Sequence, residues 1–118
     1  MEIAVTENSG VTILTPMNER LDAHNSDTLK GAMKESFEAG AKNVLVDLSN
    51  VRFIDSSGLG ALVSGFKNSV SHRGRLTLSG LQEQVRSMFE LTRLHRVFEI
   101  YEGLDEALAS FAEGDVHG

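Results

Sequence analysis

Six residues near the middle of the chain, Asn43-Val44-Leu45-Val46-Asp47-Leu48, limit the fold more than any others. The run is almost continuously apolar yet too short for a helix, the pattern of a strand covered on both faces. Such a strand needs helices to cover its sheet, and helical spacing lies on either side of it. Leu29, Ala32, Met33 and Phe37 predict one helix, with Asn25 or Ser26 as its N-cap and Gly40 as its stop. Leu59, Leu62, Val63, Phe66 and Val70 predict a second, ended near Gly74.

The remaining segments extend the alternation. Ile3, Val5 and Val11, Ile13 alternate with polar residues around Asn8-Ser9-Gly10, predicting a hairpin whose second strand ends at Pro16. Val51-Arg52-Phe53-Ile54-Asp55 reads as a brief strand, Leu76 and Leu78 as another, and Val97, Phe98 and Ile100 as a last one. Leu81, Val85, Met88 and Phe89 predict a helix, as do Leu104, Ala107, Leu108 and Phe111, after which 112–118 read as a frayed tail. The expectation is an α/β fold: a mixed, mostly parallel sheet with an N-terminal hairpin and about four helices packed against it. With 118 residues, 41% hydrophobic, the chain suits one core, assigned to residues 1–111 as a single domain.

Composition removes several chemistries. No cysteine is present, which excludes disulfides, thiolate metal sites and a cysteine nucleophile and fits a reducing, cytoplasmic location. The N-terminus carries neither a basic region nor a long apolar stretch, so no signal peptide is expected, and no run approaches the ~20 apolar residues of a membrane span. The formal charge is -6, with the bases concentrated in residues 56–98 and none in 99–118. Aromatic residues are only 6%, and direct nucleic-acid binding is not expected.

Catalytic and nucleotide motifs nearly form and then fail. Gly58-Leu59-Gly60 starts like a dinucleotide fingerprint, but Val63 stands where the third glycine is required. Gly60 and Gly65 have phosphate-loop spacing, but Phe66 separates Gly65 from Lys67. Ser64 lacks the glycine two residues earlier that a nucleophile elbow needs. His24, His72, His95 and His117 are scattered and read as surface residues, so no metal, cofactor or obligate small-molecule ligand is expected.

What remains is Asp55-Ser56-Ser57-Gly58-Leu59-Gly60 at a strand-to-helix junction. One serine there is explained as an N-cap, and glycines by a tight turn. Two adjacent hydroxyls ahead of a helix bearing Gly60, Ala61, Ser64, Gly65, Asn68 and Ser71 ask for more, because that bland face invites close approach by another protein. If Ser56 lies just outside the helix, its hydroxyl sits where free backbone N–H groups would stabilise a phosphate. Asp55 is open to two roles, capping the helix or orienting the Ser56 hydroxyl. Arg86, Arg93 and Arg96 either join a docking surface or solvate their own helix.

Phe53-Ile54-Asp55-Ser56-Ser57-Gly58-Leu59-Gly60, following Val44-Leu45-Val46-Asp47-Leu48-Ser49, resembles the signature of the STAS-domain anti-sigma factor antagonists of bacteria. Arg20-Leu21-Asp22 resembles the family's Leu-Asp step, with Glu19 standing where relatives commonly carry glycine. The resemblance implies a STAS fold and a partner-switching protein rather than an enzyme. In that scheme the unmodified chain binds an anti-sigma factor that is also a serine kinase, and the sigma factor is released. Phosphorylation of Ser56 by that kinase ends binding, and a PP2C-type phosphatase restores it. The implied partner-binding set is Asp22, Asp55, Ser56, Ser57, Gly58, Leu59, Gly60, Ala61 and Ser64. The alternatives are an unphosphorylated STAS interaction subunit of a transporter, lipid-trafficking or stress-sensing complex, and a small nucleotide-binding protein.

Overall fold

The computed structural model describes residues 1–116. The hairpin opens the chain as β1 (Ile3–Asn8) and β2 (Val11–Pro16), joined by Ser9 and Gly10 at positive φ of 52° and 82°. Positive φ at both central residues is the two-residue turn whose twist matches the strands it joins. β3 (Arg20–Leu21) and α1 (Ser26–Glu38) follow, then β4 (Asn43–Asp47), β5 (Phe53–Ile54) and α2 (Ser56–Ser71). β6 (Arg75–Ser79), α3 (Glu83–Leu91), a 3₁₀ turn (Leu94–Arg96), β7 (Glu99–Tyr101) and α4 (Leu104–Val116) complete the order.

The main sheet runs β1-β2-β4-β6-β7, with β1 antiparallel to β2 and every other neighbour parallel. β4 is its centre, and Val44, Leu45 and Val46 are fully buried. Because side chains alternate, Val44 and Val46 face one side and Leu45 the other. The first side carries the main core, where Leu29, Met33 and Phe37 of α1, Leu62 of α2 and Val85 and Phe89 of α3 meet Leu14, Leu76 and Leu78. Each such side chain contributes roughly 1.5–3 kcal/mol by leaving water. The second side is covered by α4, whose Ala107 and Phe111 pack on Val11, Ile13 and Leu45. Arg75 fastens α4 there: Nε donates to Glu99 Oε2 at 2.8 Å, Nη1 donates to the Ser110 carbonyl at 3.1 Å, and the guanidinium lies over the Phe111 ring.

The architecture matches the expected α/β arrangement, and four segments correct it. β3 has no counterpart in the sequence reading, because two residues carry no periodicity. It pairs in parallel with β5 in a second, two-stranded sheet, so the brief strand at 51–55 shrinks to Phe53–Ile54 and stands outside the main sheet. Val97 is 47% exposed and lies before β7, while Phe98 turns inward to stack edge-on against Phe66 and Phe89. α4 reaches Val116, past the Phe111 at which the helical spacing stops. The rest of the expected tail, including His117, lies outside the described residues.

Candidate functional site

The small sheet explains how α2 begins. β3 lays Leu21 beside Ile54, and the Asp55 N–H donates to the Leu21 carbonyl at 3.2 Å, which turns the chain into the helix. On its other edge β5 meets no strand. There the Gln84 side chain of α3 replaces one: the Ile54 N–H donates to Gln84 Oε1 at 2.9 Å, and Gln84 Nε2 donates to the Ile54 carbonyl at 3.2 Å. Both backbone groups of a fully buried residue are thus satisfied.

Asp55 is the N-cap of α2, with extended backbone, and its Oδ1 accepts from the N–H groups of Ser57 at 2.9 Å and Gly58 at 3.1 Å. Of the two roles open to it, the structure places its carboxylate on the cap. Ser56 is therefore not outside the helix but its first residue, and it is exposed. The free N–H groups expected to receive a phosphate at this end are partly occupied, since Asp55 already takes two of them. A phosphate on Ser56 would instead stand beside a carboxylate.

Gly58 shows why the turn needs glycine. A Cβ there would lie 2.6 Å from Ile54 Cγ1 and 2.7 Å from the Leu21 carbonyl oxygen, so the first turn of α2 sits directly on the small sheet. Gly65 does the same for helix packing, because a Cβ would overlap Met33 Sδ on α1. The buried stripe of α2 is Gly58, Leu59, Ala61, Leu62, Gly65 and Ser69, rotated one residue from the expected one. Val70, expected in the core, is 62% exposed, and Gly65, expected on the outer face, is buried. The cause is that α2 packs on α1 as well as on the sheet, and small residues allow the two helices to approach.

The nine residues of the candidate set thus divide. Gly58, Leu59 and Ala61 are buried in the chain's own packing, with Leu59 at 5% and Ala61 at 4% exposure, so they shape the surface rather than present side chains on it. Ser56 and Gly60 are exposed, and Asp22, Asp55, Ser57 and Ser64 are half-buried. Ser57, Gly60, Ala61 and Ser64 line a groove of about 450 Å³ whose other wall is the start of α1, with Asp27 and Lys30 on it. Asp22 lies in the loop before α1, where its Oδ1 accepts from the His24 N–H at 3.0 Å and its Oδ2 pairs with Arg20. That loop is tied by Asn25, whose Oδ1 accepts from the Asp22 N–H at 2.9 Å and whose Nδ2 donates to the Arg20 carbonyl at 2.8 Å. Arg20 in turn lies 4.1 Å over the Phe53 ring. Sequence reading missed Gln84 and Asn25 as supports of the site, because a side chain that bonds a distant backbone leaves no local pattern. Arg93 and Arg96 are exposed and Arg86 is half-buried, all on the α3 side of the molecule.

The fold recurs in known proteins. The STAS domain family model matches residues 2–107. The chain is 27% identical over 109 residues to the anti-sigma F factor antagonist of Paenibacillus polymyxa, covering 92% of each chain. It is 35% identical to the anti-sigma-B factor antagonist of Listeria monocytogenes over 68% of this chain and 70% of that one. Among solved structures, an anti-sigma-factor antagonist (STAS) domain protein from Planctomyces limnophilus superposes with a TM-score of 0.84 at 25% identity, covering 93% of this chain and 97% of that one. With the strand-to-helix motif at the head of α2 and the fold around it both in place, the chain belongs to the STAS-domain family of anti-sigma factor antagonists.

Proposed function

We propose that this chain works by partner switching in the cytoplasm, with Ser56 as the switch. Unphosphorylated, it binds an anti-sigma factor that is also a serine kinase and so frees the sigma factor. The kinase then transfers the γ-phosphoryl group of ATP to Ser56 Oγ, ADP leaves, and the hydroxyl proton passes to a base on the kinase. A PP2C-type phosphatase hydrolyses the phosphoserine and restores binding. ATP, its magnesium and the base belong to the partner, so the chain is substrate rather than enzyme.

The observation that carries this reading is the presentation of Ser56. Its hydroxyl is exposed on the first residue of a helix whose start is held by Asp55, Gly58 and Gln84, and the groove lined by Ser57, Gly60 and Ser64 runs beside it. A partner seated there would meet a phosphate as bulk and as about -1.5 to -2 charge. A 100-fold loss of affinity needs only about 2.7 kcal/mol. The Asp55 carboxylate on the neighbouring N–H groups also argues against this helix end as a resident nucleotide site.

Site-resolved mass spectrometry after incubation with host lysate and Mg-ATP tests it. Wild type should gain one phosphoryl group on Ser56, and Ser56→Ala none. Ser56→Asp should bind the kinase more weakly than wild type, and Ser56→Ala should bind but resist modification. Phosphate on another residue overturns the Ser56 assignment. No phosphate in a lysate with demonstrated kinase activity would favour the unphosphorylated interaction subunit.

A further inference from the structure

The two edges of the main sheet are unequal. β7 offers three residues, whereas β1 offers six, Ile3–Asn8, and all but Ile3 are exposed. Val5 is 61% exposed, second only to Val70 among the valines and isoleucines whose exposure is described. Proteins guard such edges with charged side chains, above all lysine, with proline or with a bulge. β1 has no lysine, proline or bulge, its single charge is Glu7, and its register with β2 is unbroken from Ile3↔Pro16 to Asn8↔Val11.

The register also determines which backbone groups point outward. Across the Ser9-Gly10 turn, Asn8 and Val11 form a hydrogen-bonded pair, and bonded and non-bonded pairs then alternate. Thr6↔Ile13 and Ala4↔Thr15 are bonded, and the Met17 N–H donating to the Glu2 carbonyl at 2.9 Å keeps the same phase. Pro16, which has no N–H, falls in the non-bonded position opposite Ile3. The N–H and carbonyl groups of Ile3, Val5 and Glu7 therefore face away from β2, along the open edge.

We propose that this edge pairs with β1 of a second copy, antiparallel about a two-fold axis at Val5, to join two five-stranded sheets into one. The pattern is self-complementary in that register. Val5 meets Val5, Ala4 meets Thr6, Ile3 meets Glu7 and Glu2 meets Asn8, so no like charges stand opposite each other. Glu2 and Glu7 project to opposite faces, since their positions differ by an odd number. Val5 exchanges both backbone bonds with its equivalent, a pair whose Cα atoms lie ~5.5 Å apart. α2 packs on α1, β5 and β6, so Ser56 stays outside the seam and the pair presents two copies of it. A single strand seam is a small interface, and the association is accordingly weak and concentration-dependent. The inference does not depend on phosphorylation of Ser56.

The absence of native cysteine makes the test direct. Under mild oxidation Val5→Cys should cross-link at least ten times faster than Ala4→Cys, because ~5.5 Å suits a disulfide and the Ala4 pair is offset by two residues. Val5→Pro removes only an outward N–H and should lower the association constant about tenfold by sedimentation equilibrium, while the β1–β2 ladder persists. Val5→Lys, folded by circular dichroism, should do the same and covers the case in which proline disturbs the hairpin. Equal cross-linking of the two cysteine variants, or a sedimentation mass that stays at 12.8 kDa up to ~1 mM, overturns the proposal.

Discussion

The two helices that flank the groove beside Ser56 start in opposite ways. At α2 the N-cap side chain turns forward, and Asp55 takes the N–H groups of its own helix. At α1 the N-cap side chain turns back: the Asn25 amide makes no bond to its helix and places both of its ends on the preceding loop, at Asp22 and Arg20. α2 is also braced by contacts from outside its own sequence neighbourhood, with Leu21 beneath Gly58 and Gln84 along Ile54. A helix end that must offer one hydroxyl in a constant position is fixed from several elements. The facing wall is held by the core contacts of Leu29 and Met33, while its cap side chain braces only the preceding loop.

Gly58→Ala gives the largest expected break in this contrast. Alanine in place of glycine inside a helix normally stabilises by up to about 1 kcal/mol. Here the added Cβ meets a backbone carbonyl and a core isoleucine, and overpacking costs about 1–3 kcal/mol. The melting temperature should fall by several degrees. Gly60→Ala, two residues on, adds a Cβ with nothing within 4 Å and should raise it slightly. Opposite signs within one Gly-x-Gly motif, read by thermal denaturation, separate a packing glycine from a merely tolerated one. If both substitutions stabilised, α2 would not rest on β3 and β5 as described.

Gln84→Ala comes next. It strips two partners from the buried backbone of Ile54, and an unpaired buried group costs about 1–3 kcal/mol. Chemical denaturation should show a loss of about 2 kcal/mol. Gln84→Glu should recover part of it, because a carboxylate still accepts from the Ile54 N–H but cannot donate to the carbonyl. Full recovery by glutamate would mean that only the N–H bond matters.

These residues also mark what a sequence discloses. β4 was legible because three consecutive buried aliphatic residues have no other economical explanation, and the motif at 55–60 because its residue types are chemically conspicuous. α2 was legible as a helix but not in its orientation: Ala61 and Gly65 look like surface when only the sheet is imagined as cover, and become core once α1 lies against them. β3 and the Gln84 clamp were illegible for a single reason. Both consist of long-range backbone pairing, and neither two residues nor one amide side chain produces a period.

Asp55→Ala and Asn25→Ala bring the comparison down to the two caps. Loss of an N-cap side chain costs about 0.5–2 kcal/mol, and Asp55 lies toward the upper part of that range because its charge also faces the positive end of the helix. Asn25→Ala should cost less, since its bonds steady an exposed loop rather than α1 itself. Total stability will separate them poorly, but native-state amide exchange will separate them by place. Asp55→Ala should speed exchange at Ser57 and Gly58, about tenfold for each ~1.4 kcal/mol of lost protection, and leave Asp22 unchanged. Asn25→Ala should do the reverse, freeing the Asp22 amide while the first turn of α2 keeps its protection. If Asn25→Ala loosened Ser57 as well, the two walls of the groove would be one cooperative unit, and a partner gripping the α1 wall would thereby act on the position of Ser56.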